Sequence, residues 1–301
     1  MRPSPMTSRA FLPVATLALA GAVGAGAFVP NARADSPSAE KHAAKPGAAA
    51  PTRDVNAILA DNVKALGGAA ALGKHHNMHV VRTVSIKGMG IEGREERYAT
   101  STDKFLSTMT IPGVGVMRQG SDGKGYWAED PINGVRLLEG SEKEQATLDG
   151  RWNAELDLVK LYESVKGVAA PDNAPKDQPL ECLELVPKLG KPTTVCFDAT
   201  THHRVFQTGR QASPQGEVPF EARFSAWKSF DGVFLPTLEE TTAGPASIEA
   251  RVQSVKFDEM LDPTMFKLKT GKHDKVGKTD KTAKAAKASK APAAQEADKA
   301  P

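Results

Sequence analysis

Apolar residues follow two different periods along the chain. Between residues 54 and 68 they recur every three or four positions, which predicts an amphipathic helix that Thr52 or Asp54 caps and Gly67-Gly68 ends. After this helix the period changes to two, as in strands that bury one face. Turn residues divide the alternating part, and the pattern predicts strands at 79–88, 94–101, 104–111, 113–120, 125–130, 180–187, 193–198, 203–211, 217–230, 233–241 and 247–257.

A second helical segment interrupts the strands. Ser141 and Glu144 form a capping box at its start, and Trp152, Leu156 and Val159 then fall on one helical face. This face must lie against apolar surface, either as plain core or as a lid over an opening. Ten or more antiparallel strands with two helical pieces predict a mainly β fold of the α+β kind, built on one large curved antiparallel sheet or partial barrel.

The glycine-rich stretch GVGVMRQGSDGKGYW, residues 113–127, is either a phosphate-binding loop or the bend of a hairpin. A Walker loop needs a lysine and then a hydroxyl residue after its second spaced glycine. Ser121 stands where that lysine is required, and Lys124 is followed by glycine. Asp122-Gly123 is typical of a tight hairpin turn. We therefore predict a hairpin.

The two ends of the chain differ from its middle. Residues 1–34 have a basic start, an apolar run and the sequence Ala32-Arg33-Ala34, which predicts a signal peptide cleaved after Ala34 in preference to an uncleaved membrane anchor. Residues 35–51 have the composition of a disordered linker, and the Lys/Ala-rich residues 271–301 that of a disordered tail. The predicted domain therefore spans residues 52–270 of an exported protein.

The formal net charge of +3 comes from these ends. The tail carries +4, whereas residues 35–270 carry −4. A mildly acidic folded part lacks the basic surface that nucleic-acid binding needs, so we expect no nucleic-acid partner. The tail is either a solvated spacer or a segment that touches an anionic envelope surface.

Cys182 and Cys196 are the only cysteines. They flank the turn Lys188-Leu189-Gly190, and counting back from that turn places the two cysteines opposite each other on neighbouring strands. In an exported protein this arrangement predicts a disulfide.

Catalytic and metal-binding motifs are not evident. His75, His76 and His79 lie together, but no cysteine or acid follows at ligand spacing, so we expect a solvated histidine cluster and no metal. The chain has no G-x-S-x-G elbow for a nucleophile. We therefore expect neither an enzyme nor a cofactor.

The sequence instead favours an apolar interior. A single sheet with so many strands and so few helices has a large concave face, and such a face either packs with its own side chains or leaves a groove for a ligand. Alternation places six large side chains near it, and these are the candidate groove residues: Met109, Val116, Trp127, Trp152, Phe224 and Trp227.

The pattern resembles the outer-membrane lipoprotein-sorting proteins, the LolA-like periplasmic carriers. The resemblance covers nearly all of residues 54–268. It rests on ILADNVKALGGAAAL (58–72), VVRTVSIKGMG (80–90), IPGVGVMRQGSDGKGYWAEDP (111–131), LECLELVPKLGKPTTVCFDATT (180–201), FSAWKSFDGVFLPTLEE (224–240) and VKFDEMLDPTMFKL (255–268).

The resemblance implies a half-closed antiparallel barrel with helices across its mouth, in a periplasmic protein. It also implies that the cavity holds the acyl chains of a lipoprotein or lipid, and that membrane-anchored donor or acceptor proteins are partners. Arg97 and Arg118 are strand residues that could serve as an arginine locking the lid helices. The alternatives are a non-transporting envelope sensor or scaffold with the same fold, and an enzyme with a wet cleft of convergent acids or histidines.

Overall fold

We analysed a computed structural model of the protein. It describes residues 53–101, 103–150, 153–214 and 216–268. The predicted signal peptide (1–34), linker (35–51) and tail (271–301) lie outside the described residues, as does Trp152.

Thirteen strands form one antiparallel sheet. The chain builds one half of it as a meander, crosses over, and returns so that the last strand pairs with the first. The order is β6-β5-β4-β3-β2-β1-β13-β12-β11-β10-β9-β8-β7, so β6 and β7 are the two edges of a sheet that does not close. The strands are β1 (Asn77–Ile86), β2 (Ile91–Thr100), β3 (Phe105–Ile111), β4 (Gly115–Ser121), β5 (Tyr126–Asp130), β6 (Gly134–Leu137), β7 (Ser164–Val168), β8 (Leu180–Val186), β9 (Thr193–Asp198), β10 (Arg204–Ser213), β11 (Gly216–Phe230), β12 (Val233–Ala243) and β13 (Ala246–Phe257).

The predicted mainly β fold with a large curved antiparallel sheet is confirmed, and all eleven predicted strands are present. The glycine-rich stretch is a hairpin, in which Asp122 Oδ1 accepts hydrogen bonds from the backbone N–H groups of Lys124 and Gly125. The sequence analysis missed β6 and β7. Both are short and contain glycine, and each pairs on one side only, so neither shows an extended alternation.

Two helices precede the sheet, α1 (Val55–Ala65) and α2 (Gly68–Lys74). Asp54 caps α1, as predicted, because its side chain accepts from the N–H groups of Asn56 and Ala57. Gly67 separates the helices in the left-handed conformation at φ 109°, and an added Cβ there would lie 2.1 Å from the carbonyl oxygen of Gly232.

The connection from β6 to β7, residues 138–163, carries α3 (Gly140–Gly150), a 3₁₀ turn (Ala154–Leu156) and α4 (Leu158–Leu161). We call this connection the lid. The sequence analysis placed Leu156 and Val159 on the helical face of one segment, but the structure breaks that segment. Asn153 takes the left-handed conformation at φ 70°, and the Val159 side chain is exposed.

All these helices pack on one face of the sheet, which is the concave face. Ile58 and Leu59 of α1 pack with Leu158 of the lid against β8 and β9. Leu66, Leu72 and residues of the lid pack against β1, β3 and β12. Among the described residues, no helix is sufficiently long and apolar to cross a membrane.

The predicted cysteine pair lies on the opposite face. Cys182 and Cys196 are partners in the β8–β9 register and form a disulfide. Both are buried with Ala174 and Phe206 beneath the loop that joins β7 to β8. Helices therefore cover one face of these strands and a loop covers the other, which explains why each has so few exposed positions.

Candidate functional site

A cluster of buried charges crosses the concave face. Arg82 Nη1 lies 3.3 Å from a Glu95 carboxylate oxygen and 3.2 Å from one of Glu239. Ser107 donates to Glu95, and Thr241 donates to Glu239. Each buried carboxylate therefore has both a cation and a hydroxyl donor, which offsets much of the cost of removing it from water.

Arg97 joins this face of the sheet to the lid. It is 1% exposed, and its guanidinium donates to the backbone carbonyl of Asp149 at the end of α3. The guanidinium also lies over the Phe105 ring, 5.3 Å from its centre. Next to Asp149, the backbone of Gly150 lies so close to this ring that an added Cβ would be 2.4 Å from it. The end of α3 is thus held by one charge-assisted hydrogen bond and one close contact.

Further polar contacts hold the lid along its length. The side chain of Gln145 accepts from Ala212 N at 2.8 Å, and that of Glu144 accepts from Lys188 N at 3.3 Å. Asn153 donates to the carbonyl of Leu72 at 2.9 Å. Glu144 thus contacts the β8–β9 turn. The predicted capping box was wrong, because α3 begins at Gly140 and Ser141 lies inside the helix. Side-chain bonds of this kind can break without disrupting the sheet.

Between α1, α2, the lid and the sheet lies a small cleft. Its space of about 400 Å³ includes open solvent, and the part that admits a water-sized sphere is about 20 Å³. Its lining combines apolar side chains with polar and charged ones. Its lining consists of Asn62, Leu66, Leu72, Asn153, Glu155, Arg204, Trp227, Val233, Phe234, Leu235 and Pro236. We call it the helix cleft.

A second cleft opens on another side of the lid. Its space of about 630 Å³ also includes open solvent, and the part that admits a water-sized sphere is about 70 Å³. We call it the lid cleft. It contains Gln145, Asp149 and Tyr162 from the lid, and Gln211 and Phe220 from the sheet. Gln211 is 2% exposed, and neither polar atom of its amide has a hydrogen-bond partner among the described residues. More polar and charged side chains line this cleft than line the helix cleft.

Burial changes the pKa of acids around the lid. Burial raises the pKa of Glu155 to about 8, although the nearby Arg204 lowers it. Burial likewise raises the pKa of Asp149 to about 7, against the opposing effect of Arg97. The pKa of Glu239 is raised by burial, while Arg82 acts in the opposite direction. Near neutral pH, the carboxyl groups of Asp149 and Glu155 therefore hold protons for much of the time.

The five candidate groove residues within the described part of the chain fall on both faces of the sheet. Met109 pairs with Met117 on β4, whereas Trp127 pairs with Gly120, so the two side chains point to opposite faces. The Trp127 indole is buried and donates to the carbonyl of Phe266 at 3.0 Å. Val116 shares the face of Trp127 and is 37% exposed. Trp152 lies outside the described residues.

Met109, Phe224 and Trp227 belong to the helix-covered side. Met109 is buried within an apolar cluster of β1, β3, β4 and β13. Phe224 is buried beneath the guanidinium of Arg204, 4.4 Å from the ring centre. Of the six, only Trp227 lines one of the two clefts within the described part of the chain. Its ring stacks on His203 at 4.3 Å.

The histidines near the start of β1 are not solvated as a cluster. His75 is 2% exposed and its Nδ1 lies 2.8 Å from Asp258 Oδ2. His79 is 9% exposed and lies between Glu259 and Glu96, at 2.7 and 2.9 Å. The expectation of a solvated cluster was wrong for these two, because acids remote in sequence fold back to pair with them. Within the described ranges, no group of three or more potential ligands could hold a metal ion.

Sequence reasoning missed the polar side of the helix cleft. Asn62 is fully buried in α1, yet a lone asparagine in an amphipathic helix gives no signal of this. Glu155 and Arg204 come from the lid and from β10, and only the crossover connection brings them together. Asn153 could have been noticed, since asparagine tolerates the left-handed conformation that breaks a helix.

A scan against protein-family models and a search of the curated proteins both find no match. Solved structures give matches. A DUF1329 family protein from Desulfovibrio piger is 15% identical, with a TM-score of 0.48 over 72% of this chain and 98% of that one. A LolA superfamily protein from Nitrosomonas europaea is 12% identical, with a TM-score of 0.47 over 72% of this chain and 99% of that one.

A third solved structure is a domain from Vibrio parahaemolyticus assigned to outer-membrane lipoprotein sorting. It is 14% identical, with a TM-score of 0.46 over 70% of this chain and 94% of that one. These similarities concern the fold alone. Two of the three structures are described as LolA-like or lipoprotein-sorting proteins, the family that the sequence resembles.

Proposed function

We propose that the protein is a periplasmic carrier that binds the acyl chains of a lipoprotein or another lipid for delivery to the outer membrane. The observation that carries this proposal is the helix cleft. Leu66 and Leu72 from the helices and Val233 and Leu235 from β12 all line it, so an alkyl chain entering the cleft meets apolar side chains from both sources.

The energetics of such a site need no catalytic group. Each methylene of an alkyl chain that leaves water contributes about 0.8 kcal/mol. A chain that buries only part of its length therefore binds with useful affinity and still dissociates. This is the behaviour that a carrier requires.

The lid supplies a route for loading and release. Arg97, one of the two arginines considered as a lock, holds α3 through the carbonyl of Asp149. Arg118 instead forms a partly exposed ion pair with Glu129 on the other face of the sheet. We propose that contact with a membrane-anchored donor or acceptor protein breaks the Arg97 contact, opens the lid and exchanges the lipid.

A second candidate is a non-transporting envelope sensor or scaffold. One part of the concave face favours it, since Val84, Ile86, Met109 and Ile111 pack against one another and leave no groove there. A protein whose interior were filled in this way throughout would act through its surface. The helix cleft is the feature that weighs against this alternative.

The proposal is tested by native mass spectrometry of the protein purified from an envelope fraction, with lipid extraction of the bound species. Phe234 lines the helix cleft and is 37% exposed, so Phe234→Asp places a charge at the cleft without disturbing the core. Leu137→Asp is the control, because Leu137 is 64% exposed on β6 and does not line the cleft.

We expect bound lipid on the protein and on Leu137→Asp, and a loss of most of it on Phe234→Asp. A lipid-free mass for all three proteins, even after incubation with lipid, would instead favour the sensor or scaffold.

A further inference from the structure

The helix cleft contains two buried acceptor atoms without partners in the described part of the chain. Asn62 Nδ2 donates to the carbonyl of His202 at 2.7 Å, and Asn153 Nδ2 donates to that of Leu72 at 2.9 Å. Because each amide nitrogen must face a carbonyl oxygen, the orientation of each amide is fixed. The two Oδ1 atoms are therefore acceptors, and both are buried and unbonded.

Two buried donors belong to the same cleft. Trp227 Nε1 and Arg204 Nε have no hydrogen-bond partner within the described ranges. Stacking holds both groups in place, since the indole lies on His203 and the guanidinium lies over Phe224. All four unbonded polar atoms line one small cleft, and each costs free energy unless a group that fills the cleft bonds to it.

The charges of the cleft select against ionic groups. Arg204 would repel a cation. An anion would pair with Arg204, but it would leave both asparagine oxygens without donors and would face the carboxyl group of Glu155. A hydroxyl group both donates and accepts, so hydroxyls satisfy both kinds of unbonded atom without adding charge.

We infer that the helix cleft selects an amphiphile with an uncharged, hydroxyl-bearing head group, such as a glycerol ester. The head group lies among Asn62, Asn153, Trp227 and Arg204, and the alkyl chain lies along Leu66 and Leu235. This inference rests on the proposed function, because it names the chemistry of the lipid that the same cleft would carry.

The test compares three probes with the same alkyl chain on the delipidated protein: monomyristoylglycerol, methyl myristate and myristic acid. Dissociation constants are measured by isothermal titration calorimetry or native mass spectrometry. We expect the glycerol ester to bind about tenfold more tightly than the methyl ester, since each net hydrogen bond contributes modestly and tenfold needs only one or two of them. We expect the acid, ionised at neutral pH, to bind no more tightly than the methyl ester.

The variant Trp227→Phe removes the indole N–H and keeps an aromatic ring on His203. We expect it to reduce the preference for the glycerol ester, measured as the ratio of the two esters' dissociation constants, by about threefold or more. Trp127→Phe is the matched control, because that indole donates to Phe266 on the other face of the sheet. It should keep the full preference.

Three results would overturn the inference, and they separate it from the proposed function. Equal affinity for the two esters would show that the cleft does not select the head group, while the proposed acyl-chain site would stand. Tightest binding of the acid would indicate an anion site on Arg204. Binding of none of the probes would count against the proposed function as well.

Discussion

Asp149 and Glu155 are acids whose proton affinity depends on the closed lid. Burial raises their pKa values to about 7 and about 8, from 3.8 and 4.5 for the exposed groups. The closed, folded state therefore binds protons that the unfolded chain releases once the pH exceeds about 4.5. Their contribution to stability is complete below the unfolded pKa values and is lost as the pH rises through 7 and 8.

We therefore predict that the melting temperature falls between pH 5 and pH 9. The acids with lowered pKa values, such as Asp61 and Asp258, titrate below this range and do not produce the fall. Asp149→Asn and Glu155→Gln should each flatten the profile by several degrees, since a change of about 1 kcal/mol shifts the midpoint of a domain of this size by about 2–4 °C. Thermal unfolding at several pH values measures this. The prediction would be contradicted if the melting temperatures of the variants fell with pH as steeply as those of the unsubstituted protein.

At the scale of elements, the contact between α3 and β3 depends on a glycine. In most helices, replacing glycine by alanine is favourable, but a Cβ at Gly150 would lie 2.4 Å from the Phe105 ring. Steric conflict should outweigh helix propensity here, because the ring is buried and cannot move aside easily.

We predict that Gly150→Ala lowers the free energy of unfolding by about 1–3 kcal/mol. The control is Gly73→Ala in α2, where an added Cβ meets nothing within 4 Å and should stabilise the protein by about 0.5–1 kcal/mol. Urea denaturation of both variants measures the difference. If Gly150→Ala stabilised the protein as Gly73→Ala does, the lid would not pack on Phe105 as described.

The alternation of side chains was sufficient to predict eleven of the strands that the structure describes and the cysteine pairing, because each of these depends on local pattern and on a hairpin turn. The lid could not be predicted in this way. Its break at Asn153 depends on a hydrogen bond to Leu72, a residue distant in the sequence. The same is true of the buried ion pairs at Arg82, whose partners lie on two different strands.

The groove residues show why pattern alone is insufficient for the site. Size and alternation select both Trp127 and Trp227, yet the register places Trp127 on the face opposite Met109, whereas Trp227 lines the helix cleft. The polar groups that line this cleft together with Trp227 come from α1, the lid and β10, and the topology of the fold brings them together.

At the scale of the whole molecule, the lid bridges the two free edges of an open sheet. One buried arginine, Arg97, connects it to the middle of that sheet. Burial lowers the pKa of Arg97 to about 10, so the guanidinium remains charged at neutral pH and its hydrogen bond to the Asp149 carbonyl remains charge-assisted.

We predict that Arg97→Met increases hydrogen–deuterium exchange in the lid and leaves β9 to β12 protected. Loss of a charge-assisted bond at a buried carbonyl should cost about 1–3 kcal/mol of local stability. The control Arg118→Met removes a partly exposed ion pair on the other face and should change little. Equal exchange of the lid in both variants would show that Arg97 does not hold it.

The most direct test of a lipid site beneath the helices uses Trp227, the tryptophan that lines the helix cleft among the described residues. In the double variant Trp127→Phe/Trp152→Phe, fluorescence reports Trp227 alone, and a glycerol ester brominated along its alkyl chain quenches an indole that it contacts. We predict saturable quenching in this protein and none in Trp152→Phe/Trp227→Phe, whose remaining indole is buried on the opposite face. Saturating binding without quenching of Trp227, or equal quenching of both tryptophans, would contradict an acyl chain in the helix cleft.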